Sequence, residues 1–560
     1  MRPLDWVVMF GWLTFIVSYG LYRGRGSSTT NKYMLAGRSM PWYAMGLSIM
    51  ATQASAVTFI STTGQAYVDG MRFVQFYFGL PLAMIILSAT AVPIFHRTKV
   101  YTAYEYLEIR FDAKTRALVS GIFLIERGLA AGVSLYAPSV ALSVIFGWPA
   151  RLTTLLIGLL IVTYTVTGGI KAITWADVQQ MMLILCALVL ALGIALHLLP
   201  QGVSFLDAVR LAGASGRLNV VNPHFDPNDQ YNLWSGLIGG MFLALAYFGC
   251  DQSQVQRYLT GKSVAHSRLS LIFNAAAKIP MQFFILFIGA VVFVFFNFVR
   301  PPLLFNPVAM QKLEKSNRAG NLTLRFDQAF EKRKAAALDY LSATHASDEA
   351  REHDSVNRYR AAQSEMKAVH DEAEKLSEKD TNYVFLTFVT KYLPIGVVGL
   401  IIAVIFSAAM SSTSGEINSL ATVTVIDIYR RHIKKNASDR HYLTASRIAT
   451  AFWGLYAVGF AQFGGSFGAL IEAVNKVGSF FYGGLLGVFM LAFCFKNVTA
   501  NGAFWGVIAG EVAIFAVKIF TDTAFLWFNV IGPLVVVAVG LLVSQFDRSR
   551  KNRVAVNGAV

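Results

Sequence analysis

The segment from Ala403 to Tyr429 reads AVIFSAAMSSTSGEINSLATVTVIDIY and changes character halfway along. It starts as an apolar run of membrane type, then becomes dense in hydroxyls, with a carboxylate at Glu416 and an amide at Asn418. A helix facing hydrocarbon does not carry such groups, because polar side chains left unpaired in lipid cost free energy on the kcal/mol scale. They must face a protein interior, a water-filled path or a bound ion. Ser407, Ser411 and Ser414 recur at helical spacing and share one face. The adjacent hydroxyls of Ser411 and Ser412 are neutral oxygens which, with backbone carbonyls, suit a small hard cation that binds reversibly. Serines and alanines also let membrane helices pack closely, so the segment by itself leaves both readings open. Glu416 needs a partner that the sequence does not name.

The elements that position these groups are membrane helices. The chain has 560 residues, 55% hydrophobic and only 14% charged. Its apolar runs repeatedly reach the roughly 20 residues that span a bilayer, about thirteen times along the chain. The first run is too long, and its flank too basic, for a cleavable signal peptide. Strict alternation is not the rule, which argues against an outer-membrane barrel. The formal net charge of +16 raises the question of nucleic acid, but the positive residues sit in every second connection. They cluster at Arg23, Arg25, Lys32 and Arg38, at Arg97 to Arg116, at Lys171, at Arg257, Lys262 and Arg268, at Arg430 to Lys435, and at Arg548 to Arg553. That pattern places the N-terminus outside and the C-terminus in the cytoplasm of a multi-pass plasma-membrane (cell inner membrane) protein. Its partner is the lipid bilayer, not nucleic acid. Cys186, Cys250 and Cys494 lie far apart within apolar runs and form neither a zinc motif nor a disulfide framework.

Two spans are interrupted by polar residues. One reads LSIMATQASAVTFISTTGQAYVDG and the other GGMFLALAYFGCDQSQVQRYLTG. Discontinuous helices of this kind bind ions and substrates at the midplane of transporters with inverted repeats, through unwound carbonyls and half-helix ends. The breaks fall five spans apart. The stretch 301–380 differs from the rest: it is rich in Ala, Glu, Lys and Arg, with apolar residues at three- and four-residue spacing, as in an amphipathic helical hairpin. The topology puts it outside, as a cap or lid.

Five stretches, in order, resemble the sodium:solute symporter family: LAGRSMPWYAMGLSIMATQASAVTFIS (35–61), TAYEYLEIRF (102–111), YTVTGGIKAITWADVQQ (164–180), FGCDQSQVQRYLTGKS (248–263) and the opening segment ending VIDIY. The resemblance implies an all-α polytopic membrane protein with a LeuT-type core of 5+5 inverted repeats within about thirteen transmembrane helices, plus an external helical insertion. The expected organisation is an extra N-terminal helix at 1–34, a first repeat at 35–200, an external loop at 201–231 and a second repeat at 232–300 and 381–496. The insertion at 301–380 interrupts that repeat, and 497–560 holds C-terminal helices and a basic tail.

By the same resemblance the principal sodium site falls on the carbonyls of Ala51, Ala54 and Ala408 and the hydroxyls of Ser411 and Ser412. A second sodium or coupling site would use Asp177 and Ser414, but Gly415 stands where the family has a further hydroxyl. Asp177 could instead belong to a gate or an ion pair, with Lys171 as one partner. The solute positions are Gln53, Thr58, Phe76, Tyr77, Leu80, Asp251, Gln252, Ser253 and Lys278, with Phe76 and Tyr77 in an aromatic lid and Arg38 in a gate ion pair. Tyr77 and Leu80 replace two groups that bind hydroxyls in the sugar carriers, which disfavours a polyhydroxylated ligand. Lys278, inside an apolar run, needs an anion: Asp251 or a substrate carboxylate. The expected function is sodium-coupled import of a small organic solute, a small organic acid or alternatively a sugar, by a monomer that is not an enzyme. A symporter-like sensor and a sodium-independent uniporter are the rivals. No GxxxxGK[ST] loop occurs for an ATP-driven pump.

Overall fold

The computed structural model describes residues 2–24, 29–315, 319–375, 380–463 and 470–547. Among them every regular element is a helix, with a single isolated bridge between Met40 and Gly261. Arg25 and the basic tail from residue 548 lie outside the described residues.

The membrane helices in chain order are α1 (Pro3–Gly24), α2 (Trp42–Gln53), α3 (Thr58–Asp69), α4 (Met71–Thr98), α5 (Ala113–Phe146) and α6 (Ala150–His197). A surface helix α7 (Phe205–Ala214) follows, then α8 (Ser235–Gly249), α9 (Gln252–Leu259) and α10 (Val264–Phe298). The hairpin α11 (Ala319–His345) and α12 (Glu349–Lys375) precedes the short α13 (Val384–Tyr392). The chain closes with α14 (Val397–Ile433), α15 (Asp439–Ala461), α16 (Leu470–Cys494), α17 (Ala500–Phe520) and α18 (Phe525–Phe546). Asp112, Ser263, Ser438 and Thr499 start four of these helices by accepting backbone N–H groups that the first turn leaves free.

Among the described residues nine helices are long and apolar enough to cross a bilayer, and the pair α2 and α3, bent by 58°, makes a tenth. The other expected spans are the first arm of α6 and α8, apolar but shorter, and α15, which carries charges. The two arms of α6 turn at Gly169, whose φ of 65° suits glycine, and a Cβ there would lie 2.9 Å from the Tyr33 ring.

Both polar interruptions are breaks in the backbone. Between α2 and α3 the chain leaves helical geometry at Ala54, and the Thr58 hydroxyl spans the gap by donating to the Gln53 carbonyl at 2.9 Å. Between α8 and α9 it leaves at Cys250, and Asp251 caps α9 by accepting the Ser253 N–H at 2.8 Å. A break at this depth is tolerated because each is walled by protein.

The stretch expected to form a hairpin does so. Leu322, Phe326, Ala329 and Phe330 of α11 meet Met366, Val369 and Ala373 of α12 in a small apolar core of their own. The hairpin is tied to the bundle by Tyr359 Oη donating to Asn297 Oδ1 (3.1 Å) and by Arg360 Nε donating to the Ala214 carbonyl (2.8 Å).

Candidate functional site

The five stretches singled out in the sequence converge in space. Gln256 donates to the Met34 carbonyl at 2.7 Å, and the Tyr104 hydroxyl donates to the Cys250 carbonyl at 2.9 Å. Gln252 bridges the Tyr101 carbonyl (2.9 Å) and the Ala103 N–H (3.0 Å). At the same end of the bundle Arg116 joins Asp427 of α14 at 2.6 Å and Glu108 at 2.8 Å, while Glu108 also pairs with Arg431. Burial raises the Glu108 carboxyl, but Arg431 and Arg116 outweigh it and hold the group below the ordinary carboxylate value.

The principal cation positions come together where α14 crosses the break in α2. Ser412 Oγ donates to the Thr52 carbonyl at 3.0 Å, and Ala51, Ala54 and Ala408 are buried beside it. Carbonyls in the last turn of α2 lie where a helix leaves its acceptors without intrahelical partners. Ser411 Oγ donates to Asp177. Each hydroxyl has spent only its proton, so its lone pairs remain free to face a cation.

Asp177 is a junction. Its Oδ2 accepts from Ser48 Oγ at 2.5 Å and from Arg257 Nη1 at 2.6 Å. Arg257 is therefore not a loop charge, as its place in the sequence suggested, but a buried guanidinium of α9. Lys171 is not its counterpart. Gly415 accounts for the fit, since a Cβ there would lie 2.3 Å from Arg257 Nη2. Ser414 turns away and donates to the Ser411 carbonyl at 3.1 Å.

Next to the cation positions lies a cavity of about 820 Å³. Gln53, Phe76, Tyr77 and Leu80 line it, together with Thr52, Ser412 and Glu416. Thr58, Asp251, Gln252, Ser253 and Lys278 are buried but are not among the residues that line it. Lys278 does not pair with Asp251: its ammonium has no hydrogen-bond partner among the described residues and lies 5.1 Å from the Tyr77 ring centre. Arg38 makes no gate ion pair either. It donates to the Val100 carbonyl, in the loop after α4, at 2.8 Å, and among the described residues no carboxylate lies within ion-pair distance of it.

Sequence reasoning missed the largest polar cluster of the cavity. Arg127 of α5 donates to Glu416 Oε1 at 3.1 Å and to the Tyr482 hydroxyl at 2.6 Å, and it pairs with Asp251 and, at 3.4 Å, with Glu126. Three carboxylates thus surround one guanidinium, and this is the partner that Glu416 required. A signal existed: Glu126 and Arg127 are adjacent charges inside an apolar span. Taken together, the arrangement offers neutral oxygens for a small cation beside an enclosed pocket with aromatic and charged walls.

A model of the sodium:solute symporter family matches residues 33–322 and 364–510. The chain is 27% identical to sodium-coupled monocarboxylate transporter 1 of Mus musculus, over 90% of this chain and 71% of that protein. It is 27% identical to the sodium/glucose cotransporter of Vibrio parahaemolyticus (90% and 83%) and 27% identical to the sodium/sialic acid symporter SiaT of Proteus mirabilis (96% and 94%). A solved structure described as the substrate-bound outward-open state of a sodium-coupled sialic acid symporter shares the fold, with a TM-score of 0.76, 24% identity and 98% of each chain covered.

Proposed function

The chain belongs to the sodium:solute symporter family and is a transporter rather than an enzyme; on that premise we propose that it imports a small organic solute with sodium by alternating access. The observation that carries the reading is the contact of Ser412 Oγ with the Thr52 carbonyl, at the break in α2 and on the wall of the cavity. Sodium held there by Ala51, Ala54, Ala408, Ser411 and Ser412 bridges the broken helix to α14 and favours the conformer in which the cavity accepts solute. Coupling requires only that both ligands favour the same conformer, and it is reciprocal.

One sodium accompanies each solute in this reading. The guanidinium of Arg257 already supplies a positive charge to Asp177, where a second ion would sit. The solute, a small organic acid or a sugar by size, lies against Gln53, Phe76, Tyr77 and Leu80. In this reading the protein is a monomer in the plasma membrane, and the positive-inside distribution supports an N-terminus outside.

Sodium-driven uptake into proteoliposomes tests the reading. Ser412→Ala is expected to raise the sodium concentration for half-maximal uptake about tenfold, the equivalent of one lost oxygen contact. An unchanged sodium response in folded protein would sink the site assignment. Thermal stabilisation across a metabolite panel, with and without sodium, identifies the solute.

A further inference from the structure

A second cavity, of about 660 Å³, lies between the α11–α12 hairpin and the end of the broken helix α3. Tyr67, Arg217 and Phe293 form its wall on the bundle side, and Phe326 and Arg333 form it on the hairpin side. The family model has no counterpart for residues 323–363. The hairpin wall, with Phe326 and Arg333, lies in that unmatched stretch.

Two guanidiniums enter this space without an ion-pair partner among the described residues. Arg333 is 2% exposed; Nη1 donates to Gln363 Oε1 at 3.0 Å and Nη2 to the Phe296 carbonyl at 2.5 Å, while Nε has no acceptor. Arg217 lies over the Phe293 ring at 4.5 Å, and its buried Nε likewise has no acceptor. Among the described residues neither forms an ion pair, although Arg72, Arg116, Arg127 and Arg257 all do.

Asp371, Glu374 and Asp380 also line the cavity, but among the described residues none of them forms an ion pair with Arg217 or Arg333. Asp380 accepts the backbone N–H groups of Phe305 and Asn306 at 2.5 Å each, and Glu374 accepts the N–H of Asp380 at 2.8 Å. Asp69 is bonded to Arg72. Lys367 and Asp371 also line the cavity and offset one another in formal charge. Burial holds Arg217 below the ordinary guanidinium value, and the like charge of Arg333 adds to the effect.

Buried charges in proteins are paired, and one left alone carries a desolvation cost of several kcal/mol. We propose that this cavity is a binding site for a small organic carboxylate with a flat apolar body, held by Arg217 and Arg333 and packed among Tyr67, Phe293 and Phe326. The carboxylate supplies the ion-pair partner that neither arginine has among the described residues, through charge-assisted hydrogen bonds, and the ring faces supply the apolar contact. The site is separate from the solute cavity and does not depend on the sodium reading. Because Tyr67 belongs to α3, an occupant bridges the added hairpin to the broken helix.

Benzoate and its neutral isostere benzamide are the probes, added to the purified full-length protein in chloride-free buffer with thermal unfolding as the readout. Benzoate is expected to raise the melting temperature and benzamide to leave it unchanged. Arg217→Gln, which removes no side-chain hydrogen bond among the described residues, is expected to weaken benzoate binding at least tenfold. Arg333→Gln should do the same, and Phe326→Ala is the second variant should Arg333→Gln not fold. The benzoate response should survive Leu80→Phe, which narrows the other cavity. Equal responses to benzoate and benzamide, an intact response in Arg217→Gln, loss of the response in Leu80→Phe, or the same stabilisation from chloride alone would each overturn the proposal.

Discussion

Gly415 is a small residue with a large consequence. A serine there would restore the hydroxyl that the family resemblance leads one to expect. Its Cβ, however, would fall 2.3 Å from Arg257 Nη2, so the guanidinium would have to leave Asp177. Gly415→Ser is expected to cost about 1–3 kcal/mol of stability as an overpacked core position. It should also change sodium activation of uptake from hyperbolic to sigmoidal, as the vacated Asp177 becomes open to a second ion. A Hill coefficient that stays at unity would disprove the tethered-cation account. The Arg127 cluster gives a contrasting pair. Arg127→Gln strands Asp251, Glu126 and Glu416 without their shared cation, and a loss of about 3–5 kcal/mol is expected. Glu416→Gln removes one of three like charges and should cost less. Thermal melts of the two variants side by side decide the order.

At the scale of elements, the breaks matter more than the helices they interrupt, because they put carbonyls and a capping carboxylate where an intact helix would have none to offer. The hairpin depends on a different contact. Asp207 of α7 forms a capping box with Ser204 and also meets His345 Nε2, at the end of α11, at 2.8 Å. Burial pushes the Asp207 carboxyl up, but the Ser204 N–H, the Ser204 hydroxyl and His345 together hold it below the ordinary value. The folded pKa is depressed, so the stabilisation is fully present above the unfolded value and is lost as pH falls through the folded one. Asp207→Asn is therefore expected to be about 1 kcal/mol less stable than the parent at neutral pH. The difference should vanish in strong acid, once the pH has fallen below the depressed folded value. A difference that persists there would remove the charge from the explanation.

For the whole molecule, orientation is the property most open to direct measurement. The hairpin turn at Ser347 and the loop at Asn436 lie on opposite faces in the proposed topology. In a background lacking Cys186, Cys250 and Cys494, a cysteine at Ser347 should react with an impermeant maleimide on intact cells, and one at Asn436 only after permeabilisation. The reverse pattern would invert the topology. The hairpin also carries ion pairs such as Arg325–Glu372 and Lys332–Glu365, both at 2.9 Å and both exposed. Exposed pairs contribute little, so its attachment rests on Tyr359, Arg333, Arg360 and the His345–Asp207 contact.

What was legible in the sequence was whatever repeats or interrupts a pattern. Long apolar runs give membrane helices, since no other open structure satisfies its backbone in lipid. Polar residues inside two of those runs marked the breaks, three- and four-residue spacing marked the hairpin, and five ordered motifs marked the family. The partners of charged groups were not legible. Glu416 and Arg127 are separated by 289 positions, Asp177 and Arg257 by 80, and nothing local joins either pair. Arg257 even counted as a loop charge, because composition cannot tell a basic residue beside a span from one folded back inside it. Only the packing of α5, α6, α9 and α14 decides which charges meet, and burial in a medium of low dielectric makes those meetings decisive. The sequence by itself determined a sodium symporter scaffold and pointed to the oxygens proposed for its ion. The tertiary structure decided that Asp177 meets the guanidinium of Arg257, that Lys278 stands over the Tyr77 ring, and that Arg217 and Arg333 line a second cavity with no ion pair among the described residues.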